Sequence, residues 1–241
     1  ICPKEPEEAL VRWEWCVAAS ARWSDLALRQ GVPALGVDVA DSPTGDQAAI
    51  AKWQGACCTE VEAFHVKTDA EEVAERVYAI ATDPENPVSP RHIGLDSVGI
   101  GASAYNALVR KGMRVRKISS ASRAIPQLDS EARWSATAED DDGRTKPIGP
   151  VAVESELYDS QRSQVMWRMR EDLRMGRVAL PHDEQLWRDL CTPTYTTRAG
   201  KIVVESKEHI MVRLKRSPDK GDACCYGNFV RQRTPIRGRA A

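Results

Sequence analysis

Two short apolar runs, each carrying one aspartate, constrain this chain more than any other feature. They are Ala34-Leu35-Gly36-Val37-Asp38-Val39-Ala40 and His92-Ile93-Gly94-Leu95-Asp96. Both are too short for a helix and read as buried strands. An ionised carboxylate in such a strand is expensive to bury unless a cation, a hydrogen-bond donor or solvent at the end of the sheet meets it. Between the runs lies a polar loop, Asp41-Ser42-Pro43-Thr44-Gly45-Asp46, and then two strand-like stretches, 47–54 and 59–67, turning at Gly55. Strands joined by so short a connection are antiparallel neighbours. Residues 69–82 read as a helix with Asp69 as N-cap and Val73, Val77, Ile80 and Ala81 on one face. Gly99-Ile100-Gly101 leads into a helix at 102–111 and a strand at 113–118. This alternation implies parallel pairing with right-handed crossovers.

The flanks are less regular. Residues 5–29 read as one helix, through Ala9, Leu10, Trp13, Cys16, Val17, Trp23 and Leu26, stopped by Gly31 and Pro33. Residues 119–155 read as a long loop; its acidic run Glu139-Asp140-Asp141-Asp142 is a solvated segment rather than a metal site, because adjacent carboxylates repel. A helix follows at 156–175, with Val165, Met166, Met169 and Leu173 along one stripe, then a short strand at 178–180 and a helix at 182–190. Residues 192–197 and 201–206 flank Arg198-Ala199-Gly200 as a hairpin, and a last helix runs from near Pro218 to about Arg231. The expected class is α/β: a mixed central β-sheet, its first three strands antiparallel and the rest parallel, flanked by helices.

Composition narrows the function. With 241 residues, 42% hydrophobic and 29% charged, the chain can bury a core. No stretch is long and apolar enough to cross a membrane, and the polar start without an initiator Met reads as a piece cut from a longer chain. Seven cysteines without a C-x-x-C pair read as reduced thiols. The net charge of −1 hides an asymmetry: 17 basic against 26 acidic residues in 1–160, and 17 against 9 in 161–241. A basic final third suggests a face that meets a polyanion, against the plainer reading of an ordinary solvated surface. The chain has no G-x-x-x-x-G-K-[ST], no full G-x-G-x-x-G, no metal-ligand spacing among its four histidines and no nucleophile elbow at Ser103, so no ATP site is expected.

The acids carry the chemistry. Asp38 and Asp96 sit on strands, and Asp219 and Asp222, three apart, share one face at the start of the last helix. Sites in open α/β sheets gather at the carboxyl ends of parallel strands. Converging carboxylates need a counter-cation, and hard oxygen donors select Mg²⁺ or Mn²⁺. Two such ions ~3.5–4 Å apart would activate a water and steady the leaving oxygen of a phosphodiester. Each acid also has a plainer role: Asp38 as a satisfied strand-end residue, Asp96 as cap of the following helix, Asp219 as N-cap of the last one.

These residues resemble the C-terminal nuclease domain of tailed-phage large terminases, an RNase H-like family that cuts concatemeric viral DNA during packaging. Leu35-Gly36-Val37-Asp38-Val39-Ala40 with Gly45-Asp46 resembles its first acidic strand and the Gly-Asp before strand two. Leu95-Asp96-Ser97-Val98-Gly99-Ile100-Gly101 resembles its second acidic motif. The segment 162–173 followed by Val178-Ala179-Leu180-Pro181 resembles the helix and strand that come next. Glu205-Ser206-Lys207 and Ser217-Pro218-Asp219-Lys220-Gly221-Asp222-Ala223 resemble the final motif, and this last string is the most specific. The chain departs from the family in the longer Asp38–Asp46 spacing and in the length of 119–155.

The resemblance implies that Asp38, Asp96 and Asp219 bind metal, with Asp222 a fourth ligand or an alternative third, Asp46 an accessory acid, and Lys207 a contact to DNA or to a ligand carboxylate. It implies Mg²⁺ or Mn²⁺ as cofactor and double-stranded DNA as substrate. An N-terminal ATPase domain, small terminase and portal would be partners of the full-length protein in the host-cell cytoplasm, with no membrane involved and the isolated domain monomeric. On this reading 1–31 is a linker region after the ATPase domain, 32–232 the nuclease domain and 233–241 a basic flexible tail. Lys201, Lys207, Arg213, Lys215, Arg216 and Lys220 would track phosphates without reading bases. The competing expectations are a junction resolvase of the same fold and a non-catalytic module docking DNA or portal.

Overall fold

A computed structural model describes residues 9–40, 46–97, 99–119, 122–125, 137–139, 145–147 and 156–231. Five strands form the central sheet: β1 (Pro33–Asp38), β2 (Ala48–Gln54), β3 (Cys57–Phe64), β4 (Ile93–Asp96) and β5 (Arg116–Ile118), in the order β3-β2-β1-β4-β5. β1, β2 and β3 pair antiparallel, while β4 runs parallel to β1 and β5 parallel to β4. The mixed sheet expected from the sequence is thus present.

Side-chain alternation divides this sheet between two cores. Leu35, Val37, Ile93 and Leu95 face α2 (Ala70–Ala81) and α3 (Gly101–Arg110), where they bury Val73, Val77, Ala104 and Leu108. Asp69 caps α2 through the Glu71 N–H, as expected. The opposite face packs α1 (Trp13–Ala21), α4 (Gln161–Arg174), α5 (Glu184–Cys191) and α7 (Asp219–Arg231) against Ala34, Ala49, Trp53 and Cys58. α7 lies directly on the sheet. A Cβ at Gly36 would meet the Ala223 carbonyl at 1.9 Å and the Gly227 nitrogen at 2.2 Å, and one at Gly94 would meet the Tyr226 carbonyl at 3.1 Å. Only strands without side chains at these points let the helix come so close.

Several elements differ from expectation. The helix expected at 5–29 ends at Ala21, and a 3₁₀ turn, Leu26–Arg29, follows; residues 5–8 lie outside the described residues. The break has a tertiary cause: the Trp23 indole donates to the Cys58 carbonyl at 2.9 Å, and Asp25 accepts from the Ala27 N–H. The expected strand at 178–180 is a single bridge between Ala179 and Cys57. The expected loop at 119–155 includes a two-stranded ribbon, β6 (Thr137–Glu139) with β7 (Thr145–Pro147). Asp140, Asp141 and Asp142, and the tail 233–241, lie outside the described residues. The second hairpin, β8 (Tyr195–Arg198) with β9 (Lys201–Val204), is as expected. An unexpected helix, α6 (Lys207–Leu214), follows it, capped where Ser206 accepts from the His209 N–H. No helix among the described residues is long and apolar enough to cross a membrane.

Candidate metal centre

Asp38 and Asp96 are the last residues of β1 and β4. The parallel register pairs Gly36 with Gly94 and Val37 with Leu95. The two aspartates therefore leave neighbouring strands, about 4.8 Å apart, side by side at the carboxyl edge and on the α7 face. The glycines two residues earlier share that face, so the close approach of α7 also sets its first turn above the two acids. There Asp219 and Asp222 are both buried, as is Asp38. Residues from three distant stretches of chain thus meet at one point.

A lysine occupies the middle. Lys207, first residue of α6, donates from Nζ to Asp38 Oδ2 at 3.0 Å and lies 3.3 Å from Asp222 Oδ2 and 3.6 Å from Asp219 Oδ1. Arg162, from α4, reaches Asp222 Oδ1 with Nη1 at 3.2 Å. The Tyr226 phenol, one turn after Asp222 on α7, donates to Asp96 Oδ2 at 3.4 Å.

The electrostatics follow from this crowding. Burial, reinforced by Asp222, Asp219 and Asp96, holds the Asp38 carboxyl well above the usual carboxylate range, and Lys207 only partly offsets it. Burial also works against ionised Asp222, but Arg162 and Lys207 overcome it and hold its carboxyl low. Burial disfavours the Lys207 ammonium, yet the three facing aspartates raise its pKa. With every group ionised, four carboxylates face two cations, an excess of two negative charges. Asp219 Oδ1 and Asp222 Oδ2 are buried and lack an aligned hydrogen-bond donor. An all-oxygen donor set with two orphaned oxygens and that excess suits a hard divalent cation. Among the described residues no group of three or more His, Cys, Asp or Glu is already drawn in to metal-ligand spacing. Around Lys207 the acids stand at ammonium distances of 3.0–3.6 Å, and a Mg²⁺ ion would draw its ligands to about 2.1 Å.

The other sequence candidates fall elsewhere. Asp46 is exposed on the segment entering β2, with no hydrogen bond or ion pair to these acids among the described residues. Arg213 binds Glu205 at the surface, while Arg216 binds buried Asp189 at 2.5 Å and part-buried Lys220 binds Asp183 at 2.6 Å. Lys201 and Lys215 are exposed. The sequence reading did not single out Arg162 or Tyr226. Helical spacing from Asp222 offered a signal for Tyr226, whereas nothing local marked Arg162 off from the other arginines of its helix.

The strand order and the acids at the carboxyl edge define an RNase H-like α/β domain. No family model and no curated protein matches the chain. Among solved structures it is similar to the nuclease domain of the large terminase subunit gp2 of bacterial virus Sf6, at 17% identity and TM-score 0.67, covering 94% of this chain and 99% of that one. A point-mutant form of that domain, solved with manganese and beta-thujaplicinol, matches with the same figures. Another, solved with calcium, matches at 16% identity and TM-score 0.67, covering 94% of this chain and 100% of that one. The chain has the fold of these terminase nuclease domains.

Proposed function

We propose that this chain is a divalent-metal-dependent endonuclease that cuts double-stranded viral DNA during genome packaging, with Asp38, Asp96, Asp219 and Asp222 holding the metal. One observation carries the reading: three carboxylates converge on a single ammonium with Asp96 beside Asp38 on the neighbouring strand, and two of their buried oxygens lack an aligned donor. The manganese- and calcium-bound forms of the similar Sf6 domain support the choice of ion class. Bound Mg²⁺ or Mn²⁺, in a pair, would lower the pKa of a water and neutralise the leaving oxygen of a phosphodiester.

The protein groups do the rest. Lys207 neutralises the acids in the metal-free fold and would have to withdraw before they could close on an ion. Its ammonium sits on a flexible four-carbon stem, so side-chain rotation is the route this reading requires. Tyr226 orients Asp96 and Arg162 holds Asp222. Exposed Lys201 and Lys215 would meet phosphates, and contacts confined to the DNA backbone would leave cutting weakly specific. In the packaging machine the domain would work beside an ATPase domain, a small terminase and a portal in the host cytoplasm.

The test is plasmid cleavage with Mn²⁺ and with EDTA, on wild type, Asp38→Ala and Asp96→Asn. Wild type should cut only with metal. Each variant should lose at least about 100-fold, the upper end of the loss seen for residues that merely orient ligands. Full cleavage by either variant overturns the site, and a preference for four-way junctions over linear duplex would point to a resolvase.

A further inference from the structure

We propose that Arg162 is a positioning residue that commits Asp222 to the metal centre through one oxygen only. The inference rests on the metal-holding role argued above. Arg162 is 8% exposed and projects from the first turn of α4. Its Nη1 donates to Asp222 Oδ1 at 3.2 Å, and its Nε donates to the Glu205 carbonyl at 3.4 Å, two residues before Lys207. The start of α4 is itself anchored. Ser160 caps it, Gln161 accepts from the Ser119 N–H at 2.9 Å, and Ser163 accepts from the Val204 N–H of β9 at 2.9 Å. The guanidinium is therefore a fixed strut between α4, the chain entering α6, and α7.

Asp222 has its two oxygens in different company. Oδ1 is taken by Arg162, whereas Oδ2 lies 3.3 Å from Lys207 and has no aligned donor. Arg cannot give up its proton, so its bond to Oδ1 persists when Lys207 withdraws. What remains for a metal is Oδ2 alone, aimed by the strut. The buried Nη2 of Arg162 has no partner, a cost to stability that a side chain kept only for packing would not carry.

A charge effect and a positioning effect predict opposite signs. A cation this close to Asp222 repels an incoming divalent ion, so by charge alone its removal should tighten metal binding. If it positions Asp222, its removal should weaken binding. The experiment is an EPR titration of free Mn²⁺ against wild type, Arg162→Met, Arg162→Lys and Asp38→Ala, with thermal melting on each. Expected are about tenfold weaker Mn²⁺ binding for Arg162→Met and recovery of most of that loss in Arg162→Lys. Should methionine at 162 prevent folding, Arg162→Gln takes its place with the same expectation. Unchanged or tighter binding in a folded neutral variant, or no recovery by lysine, overturns the proposal. If Asp38→Ala loses binding while the neutral variant does not, positioning alone is wrong; a wild type that binds no Mn²⁺ overturns the function reading as well.

Discussion

Lys207 stands among Asp38, Asp219 and Asp222, where the proposed ion would sit, and its removal should act in two directions at once. Without metal, Lys207→Ala leaves buried carboxylates uncompensated, a loss of about 3–5 kcal/mol for breaking a buried pair. With the competitor gone, Mn²⁺ should bind about tenfold tighter or more. Calorimetric melting with and without Mn²⁺ checks both: the variant should melt well below wild type in EDTA and regain most of the difference with metal. The acids themselves were legible in the sequence because an aspartate inside an apolar strand is costly and so demands a partner. Of the cations, Lys207 was marked only by the family resemblance, and Arg162 not at all. An arginine or lysine costs little on a surface, and its role depends on which acid it meets across the fold, as Arg162 meets Asp222 from 60 residues away.

At the level of elements, the strands and helices that build the sheet were legible from period and turn chemistry. Some features were not. α6 has one buried residue, Ile210, and so no apolar stripe to read. The break after α1 depends on the Trp23 bond to Cys58, which no local pattern reveals. The element that matters most for the site is α7, whose seat depends on Gly36. In Gly36→Ala the new methyl would run into the helix backbone, which cannot rotate away as a side chain can. The expected result is destabilisation of about 3 kcal/mol or more, with cleavage lost even in whatever fraction still folds, because Asp219 and Asp222 are pushed off the strand acids. Denaturant unfolding and the plasmid assay on the same preparation check this.

For the whole molecule, charge needs rereading. The basic excess of the final third is not all free surface charge: Arg216 and Lys220 are taken up by Asp189 and Asp183 in part-buried pairs, and exposed Arg213 is paired with Glu205. Fully buried Asp189 also gives stability a pH dependence. Burial pushes its carboxyl from 3.8 up to about 6, despite Arg216 and the Gly221 N–H. The folded state therefore favours the protonated form. This contribution is fully present below about pH 4, is lost as pH rises through about 6, and is flat beyond, a change of about 3 kcal/mol. Asp189→Asn should abolish it. The variant's stability relative to wild type should rise by about that amount between pH 4 and pH 7, measured by denaturant unfolding at both.

The placement of α7 ties the acidic cluster to the order of the chain. Its thirteen residues supply half of that cluster and much of one core, and they follow both strand-borne aspartates in the sequence. A nascent or clipped polypeptide that already carries Asp38 and Asp96 but not α7 therefore lacks two of the four carboxylates. On the proposed nuclease reading, cutting would have to wait until α7 has seated on the sheet.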